Sequence, residues 1–384
     1  MLRKSAEQHE KTATLLFIGV CFLLSRLIMV LFLSIKTGQA GFTAFTERFN
    51  IWDAGWYQVA AENLFTNPRD LWINTNGQAV WAFFPLYPLL AGLVCKVFPF
   101  LTFYKAGTIL SSVFMMAGEY VACRYIRLTR SDRRLPYWYI ALMSFGPYSV
   151  YFSIAYTEAL FILLLALCFY YMEKGAYIRM GLSGALLSAT RNVGVFFCLA
   201  LLVFWIVRYL RRSERRSLKG FFLETFRQPR LILGAVMIPA GLFAWMLFLK
   251  IVLGDTLAFV HVQHAWGKEY SGLFVTLWEH LVHLFPPDYY GVAMLAFLAL
   301  IFLIFFENHR YAEGVFPAVI FLIAGTMSAI SIPRYMMGTF GIPLALTDTI
   351  GKMKPVRKIL CFGLLFFLEL LIIRAWIDHS SWLV

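Results

Sequence analysis

The sequence predicts an all-α polytopic membrane protein, and three observations carry the prediction. The 384 residues are 60% hydrophobic and only 14% charged, with a mean hydropathy of +0.71, too apolar to leave a water-compatible surface on a globular fold. Apolar runs of membrane-crossing length recur from one end of the chain to the other. The formal charge of +13 is gathered in the short connections between those runs. That placement is a topology signal rather than a nucleic-acid footprint, so the expected partner is the lipid bilayer and no nucleic acid is expected. Cys21, Cys95, Cys123, Cys168, Cys198 and Cys361 all lie in apolar runs, without the spacing of a zinc site or the loop placement of a disulfide framework.

Arg3, Lys4 and Lys11 precede an apolar run from Thr12 to Ser34. This run exceeds the ~7–15 residues of a signal-peptide core and is expected to stay as an anchor, with cleavage near Gly38, Ala40 and Gly41 the lesser alternative. If a crossing helix needs ~20 apolar residues, clear spans fall near 13–34, 106–126, 137–155, 231–252, 288–306 and 358–377. Runs at 157–173, 176–190, 193–210, 314–330 and 335–350 lie at or just below the lower limit of ~17 residues. Polar breaks at Arg191-Asn192 and Pro333-Arg334 divide two pairs of them.

The segment 83–100, FFPLYPLLAGLVCKVFPF, is the ambiguous one: it can cross the membrane or lie along its surface. Loop charge decides. If it does not cross, Arg124 to Arg134, the basic run 208–216, and Lys352, Lys354, Arg357 and Lys358 all join the N-terminus on the cytoplasmic side. If it crosses, all of them move outside. The reading is therefore a single domain, 1–384, of about eleven transmembrane helices. Its N-terminus is cytoplasmic and its C-terminus outside. Residues 35–105 form a long external loop with interfacial helices, and 253–287 a second external loop.

With that topology the polar residues left outside are few. Phe49 to Tyr57 puts one carboxylate, Asp53, among Trp52, Trp56 and Tyr57, whose amphipathic rings favour the headgroup level. Asp53 is a candidate base; the plainer alternative is a helix N-cap opening Ala54 to Leu64. Glu62 shares the loop and is assigned to the surface. Tyr156-Thr157-Glu158, Arg191-Asn192, Arg334-Tyr335, and the group His261, His264, Trp266, Lys268 and Glu269 complete the set, and one outer-leaflet cavity is expected to gather it.

At these residues the chain resembles a family. WDAGWY at 52–57, FFPLYPLL at 83–90, YTEALF at 156–161, ATRNVG at 189–194 and SIPRY at 331–335 run in order nearly end to end. Together they are similar to the GT-C superfamily of glycosyltransferases, and within it to the PIG-V-like mannosyltransferases and their bacterial relatives. The resemblance implies the GT-C fold. It also implies transfer of a hexose, mannose in the eukaryotic relatives, from a polyprenyl-phosphate monosaccharide donor to an acceptor hydroxyl on the extracytoplasmic face. The acceptor is left open among a lipid, a glycan and a protein.

Such a transfer needs a base for the acceptor and cations for the departing phosphate. Asp53 takes the first role. Glu158 opens a helix, where the dipole favours a carboxylate anyway, and the resemblance implies for it a role in supporting the base or positioning substrate. Arg191 and Arg334, in the polar breaks, offer planar forks that match phosphate oxygens, against the alternative of snorkelling or pairing with a carboxylate. His264 and, inside the first span, Arg26 are further candidates for the donor phosphate. Trp52, Trp56, Tyr57, Tyr156, Asn192 and Tyr335 are the candidate substrate contacts. Glu119 and Glu369, also inside spans, are expected to pair with a cytoplasmic-end arginine such as Arg124 and with Arg374.

No cofactor is expected, and the spacing of His261 and His264 does not make a metal site, which leaves divalent-metal assistance open. No Gly-rich phosphate loop or nucleotide-sugar motif is present in the sequence, which favours a lipid-linked donor over a nucleotide-linked one. The alternative class is a transporter or flippase for a lipid-linked sugar or small solute. Against it stand the lack of an internal repeat and the gathering of polar residues at one face instead of the bilayer midplane.

Overall fold

The structure, a computed structural model, describes residues 2–66, 73–212, 217–267, 272–282, 289–326 and 331–380. Among them there is no β-strand, and one isolated bridge joins Ile73 to Ala79. The helices in order are α1 (Leu2–Thr37), α2 (Gly41–Phe49), α3 (Asp53–Thr66), α4 (Leu86–Val97), α5 (Phe103–Thr129), α6 (Leu135–Phe145), α7 (Glu158–Glu173), α8 (Tyr177–Thr190), α9 (Phe197–Arg212) and α10 (Leu218–Phe226). They continue with α11 (Pro229–Met237), α12 (Ala240–Leu253), α13 (Ala258–His261), α14 (Leu273–Val282), α15 (Tyr289–Phe302), α16 (Tyr311–Gly325), α17 (Ile332–Met337), α18 (Gly341–Lys352) and α19 (Pro355–Ile377).

Six stretches among the described residues are long and apolar enough to cross a membrane: Gln8–Thr37, Phe103–Thr129, Asn192–Arg212, Pro229–Leu253, Tyr289–Glu307 and Pro355–Ile377. Their outer faces carry exposed Leu, Ile and Phe, as a lipid-facing surface requires. Within this ring α7 is buried almost all round, from Glu158 through Ala159, Leu165, Ala166 and Phe169 to Met172. A helix apolar on every side belongs at the centre, and α7 packs there between α5 and α8. Small residues let backbones close up: a Cβ on Gly181 would fall 2.6 Å from the Gly234 carbonyl oxygen, so α8 and α11 touch through their backbones.

The expected span 137–155 is not a single helix. The apolar run 137–155 breaks where α6 ends at Phe145; Gly146-Pro147 follows, Tyr148 adopts a left-handed φ of +68°, and a 3-10 turn runs from Ser149 to Ser153. The cause is the Gly-Pro pair, since proline disfavours helical φ/ψ at the residue before it and cannot donate to a helix passing through. Residues 146–157 are thus an irregular linker laid across the interior, and it reappears beneath the candidate site.

Helix α4 holds only 12 residues, ~18 Å at ~1.5 Å per residue against a hydrocarbon thickness of ~30 Å. The chain before and after it stays at one end of the molecule. Lys36 at the end of α1 bonds Asp378 after α19 at 2.9 Å, and Asn50 bonds Thr108 near the start of α5 at 3.0 Å. At the other end Arg127 of α5 meets Glu10 of α1 at 2.6 Å. There too Arg130 is clamped between Glu313 at 2.6 Å and Asp348 at 2.9 Å, while Tyr125 donates to Glu313. A cavity of about 540 Å³ opens beside this cluster, with Asp132, Glu307, Arg310 and Lys352 in its wall.

Candidate active site

The site is built on the turn into α3. Trp52 sits at φ +54°, a conformation that costs a non-glycine residue roughly 1–3 kcal/mol, and so swings the chain from α2 into a helix that begins at Asp53. The surroundings enforce this turn. Trp376 meets the Trp52 ring edge-on at 4.8 Å and donates its indole N–H to the Phe49 carbonyl at 2.9 Å. Buried Asn50 donates to the Thr46 carbonyl at 2.8 Å, and its side-chain oxygen accepts from the Ala155 N–H at 2.5 Å, tying the turn to the linker. Tyr156 completes the brace: its hydroxyl donates to the Ile51 carbonyl at 2.9 Å and accepts from the Asp53 N–H at 3.2 Å.

Asp53 therefore projects where four charges alternate. Its Oδ2 accepts from Arg334 Nη1 at 3.1 Å; Arg334 Nε lies 3.4 Å from Glu158 Oε1; and the same Oε1 accepts from Arg191 Nη1 at 3.0 Å. The carboxylate of Asp53 is the most open of the four, at 22% exposure, followed by Arg191 at 19%, with Arg334 at 7% and Glu158 at 3%. Tyr335 lies between the guanidinia, its ring 4.4 Å from Arg191 and 4.9 Å from Arg334, and its hydroxyl 3.2 Å from Arg334 Nη2. Tyr151 and Tyr156 flank Arg334, each ring 5.5 Å away. Burial alone would weaken the charge on both arginines, but Glu158 beside Arg191, and Tyr335, Asp53 and Glu158 beside Arg334, raise both pKa values above the ordinary arginine range. Arg334 Nε and Glu158 Oε2 are buried without a hydrogen-bond partner among the described residues, so the cluster keeps unmet polar capacity at its centre.

An aromatic wall rises beside Asp53. Trp56 lies parallel to Phe83 with centroids 5.8 Å apart, Trp266 meets Trp56 at 5.4 Å and Phe83 at 6.0 Å, and Tyr57 meets Phe83 at 5.1 Å. Tyr57 is buried, with its hydroxyl 3.3 Å from Thr157 Oγ1; burial and then Asp53 and Glu158 push its phenol well up, so it stays neutral.

The structure thus brings together Asp53, Glu158, Arg191, Arg334 and Tyr335, with Trp52, Trp56, Tyr57 and Tyr156 around them. Other sequence candidates fall elsewhere. Arg26 does not join the cluster: its guanidinium donates to the side chains of Ser25, Ser149 and Ser153, to the carbonyls of Ser144 and Ser149, and to the Met115 sulfur. Its electrostatic partners are Glu119 and Glu369. These two acids consequently miss the partners expected of them. Glu119 accepts from Ser144 at 3.3 Å instead of meeting Arg124, and Glu369 accepts from the Val150 N–H at 3.1 Å while Arg374 lies near Asp378. His264 is exposed on the 3-10 turn Val262–Trp266, and the residue of that turn that reaches the wall is Trp266. Asn192 is exposed, its side-chain oxygen accepting from Val193 N–H at 2.9 Å. Lys268 and Glu269 lie outside the described residues. Among the described residues no group of three or more His, Cys, Asp or Glu is placed to hold a metal ion.

Sequence reasoning missed Asn50, Tyr151 and Phe83. Phe83 opens FFPLYPLL and Asn50 lies within Phe49 to Tyr57, stretches already singled out but without a role for either residue, whereas nothing marks Tyr151 among 19 tyrosines.

No family model and no curated protein matches the chain in sequence. Solved structures match it in fold. ArnT from Cupriavidus metallidurans, bound to undecaprenyl phosphate, superposes with a TM-score of 0.54 at 12% identity over 94% of this chain and 63% of its own. The Archaeoglobus fulgidus oligosaccharyltransferase in its apo form superposes with a TM-score of 0.50 at 10% identity over 96% of this chain and 55% of its own. This chain therefore spans less than two thirds of the length of either. The fold it shares with them is the GT-C fold.

Proposed function

We propose that the chain is an integral-membrane glycosyltransferase. In this reading it moves a hexose, mannose by its PIG-V-like resemblance, from a polyprenyl-phosphate sugar to an acceptor hydroxyl on the extracytoplasmic face, with inversion. The observation that carries the reading is the alternating cluster Asp53, Arg334, Glu158, Arg191 at the helix ends: it supplies a reachable carboxylate and two guanidinia held charged beside it. The GT-C fold supports it, as do undecaprenyl phosphate on one structural neighbour and the transferase chemistry of the other.

The acceptor oxygen attacks the anomeric carbon from the face opposite the phosphate. As the new C–O bond forms, the hydroxyl proton passes to Asp53, and the electron pair of the breaking C–O bond leaves with the phosphate, whose added charge Arg191 and Arg334 meet. Arg191, the more exposed guanidinium, meets the phosphate first. Arg334 couples the two jobs: a phosphate that draws its fork away from Asp53 frees that carboxylate to act as base. Glu158, bridging both arginines, holds them in register. One displacement needs no covalent sugar–enzyme intermediate.

For the side of the membrane, the reading rests on loop charge: the end carrying Arg124 to Arg134 and Lys352 is cytoplasmic, with the N-terminus, and the Asp53 end faces out. The test is incubation of purified protein with a panel of polyprenyl-phosphate sugars. One donor is consumed with formation of a glycosylated product, and Asp53→Asn lowers the rate by about 10²–10⁴-fold with the fold intact. Near-full activity of D53N would remove Asp53 as base. Consumption of no donor, with substrate instead moved across vesicles, would replace the transferase by a transporter.

A further inference from the structure

A second cavity, of about 440 Å³, lies between the two outer loops, lined by Gly77, Trp81, Leu253, Asp255, Ala258, His261 and Val262. Its volume is within the ~300–1,000 Å³ range of small-molecule sites. Its composition is amphipathic in a particular way. Trp81, Leu253, Ala258 and Val262 offer apolar wall, while Asp255 and His261, at 41% and 65% exposure, stand as a polar pair. Asp255 Oδ1 accepts the Leu257 N–H at 2.9 Å and Oδ2 faces His261 Nδ1 at 2.7 Å. A carboxylate offers about four acceptor positions, so roughly two stay available for hydroxyl donors. Among the described residues the lining holds no Lys or Arg. Lys250 acts on Asp255 from outside the lining but is held by the Gly254 carbonyl at 2.9 Å, so a phosphate would meet the carboxylate first, whereas a neutral sugar presents C–H faces to a ring and hydroxyls to an acid.

The cavity is pre-shaped. Asn74 locks its first wall, its Oδ1 accepting the N–H groups of Asn76 at 3.0 Å and Gln78 at 2.9 Å while its Nδ2 donates to Gln78 Oε1 at 3.0 Å. Gly77, at φ +78°, brings that turn against Ala265 of the second loop, 3.9 Å from where a Cβ would stand. Its lining also adjoins, along the chain, the aromatic wall of the candidate active site. Trp81 lies two residues before Phe83, and Val262 four before Trp266; both of those rings belong to the wall with Trp56, which is one helical turn, ~4.5 Å of rise, from Asp53.

We infer that this cavity is an acceptor subsite that binds a neutral sugar unit of a glycan, stacked on Trp81 and hydrogen-bonded by Asp255 and His261, so that a neighbouring hydroxyl of the same glycan reaches Asp53 along the aromatic wall. The inference rests on the transferase reading for the word acceptor and on the cavity alone for the sugar.

The test separates the two. Full-length protein in nanodiscs is titrated with mannotriose and with maltotriose by calorimetry. At least one trisaccharide binds wild type; Trp81→Ala and Asp255→Asn each weaken it by about tenfold or more, and Asp53→Asn binds as wild type does. Asp255 is exposed, so D255N tests the site even where W81A fails to fold. In turnover, D255N raises KM about tenfold for an acceptor bearing the trisaccharide and leaves kcat and a single-sugar acceptor unchanged. Binding of neither trisaccharide to wild type, wild-type affinity in D255N, or stoichiometric displacement of the sugar by undecaprenyl phosphate would overturn the subsite. Sugar binding lost in D255N, with no polyprenyl-phosphate sugar consumed, would keep the subsite and end the transferase reading.

Discussion

At the scale of single residues, Asp53 and Glu158 differ in exposure, and in the proposed reaction that difference divides their work. Glu158 is 3% exposed and in contact with two guanidinia, so removing its charge leaves Arg191 and Arg334 facing each other in a water-poor interior. Breaking a buried pair in this way costs about 3–5 kcal/mol, whereas neutralising Asp53, the most open of the four, leaves Arg334 still facing Glu158. Glu158→Gln is therefore expected to lower the melting temperature in detergent well beyond Asp53→Asn, and Asp53→Asn to lower kcat at nearly unchanged stability; equal stability losses in the two variants would refute the division. The sequence exposes these four residues because ionisable groups in short breaks between apolar runs are few and costly. It does not expose their pairing. Asp53 and Arg334 are 281 positions apart, and only the packed chain decides that Glu158 serves both arginines. The left-handed Trp52 is equally hidden, since its cost is borne by Trp376 and Asn50 from elsewhere in the fold.

At the scale of elements, the linker 146–157 shows where apolar patterning fails. Hydropathy sees an unbroken run at 137–155, yet Gly146-Pro147 turns it, and the turned segment puts Tyr151, Tyr156 and Glu158 around Arg334. An interior segment with no more than a 3-10 turn must have much of its backbone satisfied by side chains, and here Arg26 and Glu369 do so. This explains why an arginine stands in the first span at all. Sequence reasoning places Arg26 on the donor phosphate because a lone cation in a membrane helix demands an anion; the structure answers the demand with serines, carbonyls and two acids drawn from α5, the linker and α19. Arg26→Met is accordingly expected to destabilise by about 3–5 kcal/mol, measured as a lower melting temperature, and to lower kcat through the displaced linker while the donor Kd stays within about twofold. Arg26→Lys recovers little, because one ammonium cannot span contacts arranged for a planar fork. A raised donor Kd at unchanged melting temperature would return Arg26 to the phosphate.

At the scale of the whole molecule, the chain is polarised between two ends that α5 separates by ~40 Å over its 27 residues. One end holds Glu10 with Arg127, and Arg130 with Glu313 and Asp348; the other holds Asp53, Glu158, Arg191 and Arg334, with Lys36 and Asp378 closing α1 against α19. The segment 83–100 decides which end faces the cytoplasm, because a crossing there would reverse every later loop. Its centre is a helix of 12 residues beginning just after a proline, with Tyr87 buried against the Gly107 carbonyl, and the loop that contains it starts and finishes at the Asp53 end. If it lies along the surface, the positive-inside bias puts the Arg130 end in the cytoplasm. Single cysteines in a background lacking the six native ones read this directly: Cys at exposed Asn76 should react with an impermeant maleimide on intact cells, and Cys at exposed Arg133 only after permeabilisation. Reaction at both positions on intact cells would mean that 83–100 crosses the membrane. Asp53, on the same loop as Asn76, would then stay outside while Glu158, Arg191 and Arg334 fell on the opposite face, and the site as a single constellation would fall with the topology.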